Sequence, residues 1–136
     1  MSHNLFDEFI VLTTSREEML DITGEVRAFV RSTGIKDGIC KVYVPHTTAA
    51  VTINENADPD VKSDILKGLE AIVPSDLAYQ HAEGNSPAHI KTSIMGSSEE
   101  IIISGEDLVL GTWQGIYFCE FDGPRTRKFF VKILEG

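Results

Sequence analysis

The residues best suited to chemistry in this chain are three histidines. His81 and His89 stand eight residues apart in HAEGNSPAH, with an acid, a glycine turn and a Ser-Pro pair between them, and His46 opens HTTAAVTINENADPDV. Each is flanked by small or polar residues rather than set in an apolar stripe. Neutral imidazoles coordinate transition metals, and three of them with one open position form the usual catalytic zinc arrangement. Nitrogen ligands without cysteines favour zinc over magnesium or calcium. Glu55 or Glu83 would then serve as general base or as the partner that orients a ligating ring. The spacing matches no HExxH-type motif, and a structural role for each ring is the competing reading. His3 sits in a terminal segment and is set aside.

These side chains need elements to aim them. LFDEFIVLT reads as a strand. In SREEMLDITGEVRAFVRSTG, Ser15 and Glu18 match a capping box, Met19, Ile22, Val26, Phe29 and Val30 recur at helical spacing, and Gly34 fits the stop. GICKVYV and AAVTIN are strands separated by Pro45–Thr48, which places His46 just beyond a strand end. A second helix starts at Asp58 with Pro59 in its first position, shows Val61, Ile65, Leu69 and Ile72 on its apolar face, and ends before Pro74. After a loop over 75–86, Ser86 as cap and Pro87 start a short helix that puts His89 in its first turn, where the macrodipole disfavours the imidazolium. The turn at Gly84 and Asn85 lets His81 fold back beside it. EEIIIS, TWQGIYFCEF and KFFVKIL complete six or seven strands. With two main helices this is an α+β chain, a single domain over residues 1–136.

Acids outnumber bases 21 to 12, for a formal net charge of −9. That balance argues against nucleic acid and anionic membranes as partners. A small anion needs only an arginine and a helix N-terminus. Arg125 follows DGP, a turn that presents its guanidinium as a rigid fork, whereas Lys128 and Lys132 read as the solvated face of a final strand. Cys40 and Cys119 lie in apolar runs, with no signal-peptide pattern or membrane span before them, so buried free thiols in a cytoplasmic protein are expected. NENADPDVKSDI places Pro59 and Ile65 where a calcium loop needs Gly and Glu. GNSPA lacks the second glycine of a nucleophile elbow. In GIYFCEF, Ile116, Phe118 and Glu120 alternate with Tyr117, Cys119 and Phe121, so both faces are largely apolar. Either a neighbouring subunit or a two-sheet sandwich could cover the second face.

The motifs HTTAA (46–50), INENADPDV (53–61), HAEGN (81–85), PAHIKTS (87–93) and LGTWQGIYFCEFDGPR (110–125) resemble the YjbQ family, to which a secondary thiamine-phosphate synthase activity is attributed. The resemblance implies a two-sheet β-sandwich of about seven strands assembled as a homotrimer, with a pocket near subunit boundaries. His46, Glu55, Asn56, His81, His89, Gln114 and Arg125 are the matching candidate positions, with Asn56, Gln114 and Arg125 as ligand-binding residues. Thiamine-phosphate synthesis expels pyrophosphate, which normally calls for magnesium on carboxylates and several basic contacts. This chain offers imidazoles and one well-placed arginine, so synthase activity is expected to be secondary. Two functions follow: a metal-dependent enzyme acting on a phosphorylated or anionic metabolite, or a non-enzymatic trimeric module that binds a small anion or a metal. The feature that separates them is a base, Glu55 or Glu83, beside the histidines.

Overall fold

In the computed structural model, which describes residues 5–136, eight strands and three helices follow in the order β1 (Phe6–Leu12), β2 (Glu18–Asp21), α1 (Thr23–Thr33), β3 (Gly38–Tyr43), β4 (Ala49–Glu55), α2 (Pro59–Ile72), α3 (Ser86–Met95), β5 (Ser98–Ser104), β6 (Asp107–Leu108), β7 (Gln114–Glu120) and β8 (Thr126–Glu135). His3 lies outside the described residues. All pairings are antiparallel, in a five-stranded sheet of order β1-β8-β3-β5-β6 and a three-stranded sheet of order β2-β7-β4. The α+β class stands, with β2 and β6 added to the strands expected from sequence.

Local signals fail where pairing along a sheet edge outcompetes them. Glu18 does reach back as a capping acid would, accepting the backbone N–H groups of Thr14 at 2.6 Å and Ser15 at 3.0 Å. The turn it closes leads into β2 instead of a helix, because Met19 buries itself opposite Cys119 in the three-stranded sheet. α1 therefore begins at Thr23, whose N–H and hydroxyl both bind Asp21, and ends on Gly34 at φ 71°, a left-handed stop that suits glycine. α2 matches its expected start, with the Asp58 carboxylate accepting from the Asp60 N–H. α3 begins one residue earlier than expected: Asn85 occupies the cap position and Pro87 the second helical position.

Two apolar cores share the three-stranded sheet. Cys40, Val42, Phe129, Val131 and Ile133 of the larger sheet meet Val51, Ile116 and Phe118 of the smaller one, and Val26 and Val30 of α1 join them. On the other face of the smaller sheet, Met19, Ala50, Tyr117, Cys119 and Phe121 pack with Leu69 of α2 and Ala88 of α3. The two-sided apolarity of β7 is thus satisfied within one chain, by a sheet on one side and two helices on the other. Lys91 pins these helices down. It is 1% exposed, and its ammonium lies 2.6 Å from both Glu17 and Glu70. Hydrogen bonds from Lys91 and then Ser75 hold the Glu70 carboxyl below its ordinary range, so the clamp acts above that range and weakens as pH falls through it. Because Phe118 is fully buried inside the chain, Phe118→Ala is expected to cost about 3–5 kcal/mol in chemical denaturation. Phe118→Asp should give unfolded protein, and a folded, dispersed monomer on size-exclusion chromatography would contradict this packing.

Candidate functional site

The strand ends and the start of α3 build one cavity. The Val44 N–H binds the Ser97 carbonyl at 2.8 Å, so Pro45 and His46 leave β3 as a short link into β4. Nε2 of His46 accepts the backbone N–H of Lys128 at 3.0 Å. An accepting Nε2 leaves the proton on Nδ1, which fixes one neutral tautomer. Burial lowers the pKa of His46, and the Arg127 guanidinium lowers it further. His89 stands on the first turn of α3. Gly84, at φ 75°, directs its N–H to the His81 carbonyl and turns the chain back, as the sequence suggested. The His81 and His89 rings meet edge to face, with centroids 5.2 Å apart and planes at 82°.

A cavity of about 380 Å³ is lined by all three of these histidines together with Glu83, Asn85, Arg125 and Arg127. Oε2 of Glu83 lies 4.0 Å from Nε2 of His81. Arg125 is anchored through its backbone N–H to the Thr13 hydroxyl (2.8 Å), and its guanidinium reaches the carbonyl and carboxylate of Asp122, both at 2.8 Å. Asp122 also accepts from the Asn85 side chain at 2.9 Å. Burial would raise the Asp122 carboxyl, but the bonds from Asn85 and Arg125 outweigh it and hold the group ionised below its ordinary range.

Arg127 is the functional residue that sequence reasoning missed. It is 6% exposed and forms a two-pronged pair with Glu120, at 2.9 Å through Nε and 2.5 Å through Nη2, while Nη2 also reaches the Thr48 hydroxyl at 2.8 Å. Burial acts to raise the Glu120 carboxyl, yet hydrogen bonds from Arg127 and Thr13 bring it below its ordinary value. The signal was present in the strand register. Arg127 shares the buried phase of Phe129, Val131 and Ile133, and Glu120 shares that of Ile116 and Phe118. Two charges in core register call for each other. Lys128, one residue on, points the other way and pairs with Glu8 on the surface.

Three of the expected site residues do not line this cavity. Glu55 ends β4, about 20 Å along the strand from the His46 end. Its carbonyl accepts the Tyr117 hydroxyl at 3.0 Å. Asn56 packs over Gly115, where a Cβ would come within 2.5 Å of its amide nitrogen, and it binds Asp21 at 3.2 Å. Gln114 closes a turn by accepting the Gly111 N–H at 2.8 Å. Each has a local structural task at the far end of the three-stranded sheet.

As the side chains lie, no three His, Cys, Asp or Glu groups among the described residues form a metal cage. A cage of all three histidines would require His46 to give up its bond to Lys128. The His81–His89 pair is better suited. On a tetrahedral ion with zinc–nitrogen bonds of about 2 Å, two imidazole ring centres stand about 5 Å apart. Oδ1 of Asn85, buried on the same wall, has no hydrogen-bond partner among the described residues and is a neutral oxygen donor of the right type.

The family model described as "UPF0047 protein YjbQ-like" matches residues 7–136. The UPF0047 protein YugU of Bacillus subtilis is 54% identical over 125 residues, covering 91% of this chain and 95% of that protein. A UPF0047 protein of Methanocaldococcus jannaschii is 52% identical over 127 residues, or 93% of this chain and 92% of that one. The crystal structure of an uncharacterised conserved YjbQ/UPF0047-family protein of Clostridium acetobutylicum aligns with a TM-score of 0.92 at 55% identity, covering 94% of this chain and 99% of that chain. A YbjQ-like protein of unknown function from Sulfolobus solfataricus aligns at 0.93 with 35% identity, covering 96% of each chain. Over residues 7–136, which include all three histidines of the cleft, this chain belongs to the YjbQ-like UPF0047 family.

Proposed function

We propose that this chain is a small metal-dependent enzyme acting on a phosphorylated or otherwise anionic metabolite in the histidine cleft. The observation that carries the reading is the meeting of His46, His81, His89, Glu83 and Arg125 in one cavity of about 380 Å³. His81 and His89 would hold a divalent ion, zinc by ligand type, with Asn85 or Glu83 as oxygen donor. Such an ion, when bound, polarises an oxygen or activates water. His46, neutral and fixed by Lys128, offers its Nδ1–H to an oxygen of the bound molecule. Arg125, oriented by Asp122, takes the anion in its guanidinium fork. Glu83 is the available base.

Thiamine-phosphate synthesis fits this site only as a secondary activity. Arg127 is committed to Glu120 and Arg125 is shared with Asp122, which leaves little free positive charge for a pyrophosphate leaving group. The outer face of the five-stranded sheet supports a homotrimer: Phe6, Ile10, Leu12, Tyr43, Ile102 and Leu134 are each between 43% and 69% exposed there, with no helix among the described residues over them. The two buried cysteines, both with thiols pushed up to about 12 by burial, suit a reducing cytoplasm. Among the described residues, no helix is long and apolar enough to cross a membrane. One observation favours the alternative of a non-enzymatic binding module: with Glu55 at the far end of the sheet, Glu83 is the only carboxylate among the described residues that line the cavity, and its side chain is 72% exposed.

Elemental analysis of protein purified without a histidine tag should find a transition metal. His81→Ala or His89→Ala should each lower zinc affinity at least 100-fold, while His46→Ala changes it less than tenfold but impairs turnover of phosphate esters. Equal losses from all three would return His46 to the ligand set, and metal-loaded protein that binds phosphate without hydrolysing any ester would favour the binding module. For anion recognition, Arg125→Lys should weaken phosphate binding about tenfold by calorimetry, and Lys128→Ala should change it less than twofold. Similar effects from both would mean that general basicity suffices. The proton on His46 provides a third test. Its lowered pKa means that its contribution to stability is complete above the ordinary histidine value of about 6.5 and is lost as pH falls below it. An NMR titration should show one imidazole protonating below the ordinary range, and that signal should vanish in His46→Gln.

A further inference from the structure

The ionic cavity is only half of the cleft. His46, Thr47 and His89 also line a second cavity of about 400 Å³, whose remaining wall includes Thr92, Ser93 and Ser97. The two cavities therefore share a waist formed by the two imidazoles, and their chemistry differs. Every permanently charged group lies on the first side, with Arg125, Arg127 and Glu83. The second side carries hydroxyls and, apart from the shared histidines, neither a charge nor an aromatic ring.

Thr92 adds an independent observation. It is 8% exposed, and its hydroxyl is buried with no hydrogen-bond partner among the described residues. A threonine within a helix ordinarily returns its hydroxyl to the carbonyl four residues back, as Ser93 does here by donating to His89 at 3.0 Å. A buried hydroxyl left unpaired is costly, and such groups mark places where something else completes the bond.

Resting on the proposed reading of the site, we infer that the substrate is a polyol phosphate. The phosphate would sit on the Arg125 side and a hydroxylated, uncharged carbon chain on the Thr92 side, with the bond between them at the His46–His89 waist. Serine and threonine hydroxyls both donate and accept, which matches hydroxyl groups in either orientation. A flat heteroaromatic ring would call for an aromatic side chain to stack on, and beyond the shared histidines none of the described residues lining this lobe supplies one.

Calorimetry with three probes, inorganic phosphate, methyl phosphate and glycerol 3-phosphate, tests this on the parent protein, Thr92→Val and Arg125→Lys. Glycerol 3-phosphate should bind about tenfold tighter than methyl phosphate to the parent, and Thr92→Val should remove that gain while leaving phosphate and methyl phosphate unchanged. Thr92→Val should also be at least as stable as the parent in thermal melts, since it deletes an unpaired buried hydroxyl. Equal affinity for the two esters, or a gain that survives Thr92→Val, overturns the inference while leaving the anion site intact. Loss of stability in Thr92→Val also counts against it, because it would mean that the hydroxyl is already paired within the protein. If none of the three probes binds, or binding ignores Arg125→Lys, the broader reading of an anionic substrate falls as well.

Discussion

The ion pair between Glu120 and Arg127 is the constraint around which the cleft is organised. Glu120 is fully buried and Arg127 nearly so, at the end of a core otherwise built from valine, isoleucine and phenylalanine. Neither charge could stay there alone. Their bond crosses from the smaller sheet to the larger one. Thr13 adds β1 through a 2.7 Å bond to Glu120, and Thr48 adds the segment that carries His46. Three stretches of chain distant in sequence, around residues 13, 48 and 120–127, are thereby held at one corner of the sandwich. Burial, and after it the same guanidinium, lowers the pKa of His46, while Glu120 acts in the opposite sense.

The chain of contacts continues outward from that corner with decreasing burial. Asp122 donates its backbone N–H to the Glu120 carboxylate, and its own carboxylate accepts from Asn85 and Arg125. Arg125 is half exposed, while His81 and Glu83 occupy a turn at the rim. A rigid, desolvated base thus supports a wet, adaptable edge. Such a gradient suits a site that must place one neutral imidazole accurately yet admit an ion or a ligand from solvent.

α3 links the cleft to the rest of the protein. Its Ala88 and Lys91 face the second core and the clamp with Glu17 and Glu70, whereas His89 and Ser93 face the cleft. The clamp is worth having because α3 is short and lacks a side-chain cap, so its own propensity would hold it weakly. Fixing Lys91 between two acids sets the rotation of the helix, and with it the bearing of His89.

Much of this was determined by sequence alone, wherever the governing interaction is local. Pro59 after Asp58 started α2, Gly34 stopped α1, and Gly84 folded His81 back towards His89, because caps and left-handed turns depend on residues only a few positions apart. The family motifs carried the cleft histidines and Arg125 together. Tertiary structure decided what depended on pairing across the chain. Glu18 joined a strand because Cys119 and its neighbours offered an edge, and the second face of β7 was covered by this chain's own helices. Strand geometry separated Glu55, Asn56 and Gln114 from the histidines, since an extended strand carries its two ends far apart whatever their chemical likeness. Asn85 and the bond from Lys128 to His46 became visible only in three dimensions, because a hydrogen bond has no sequence signal when its partners lie 82 residues apart.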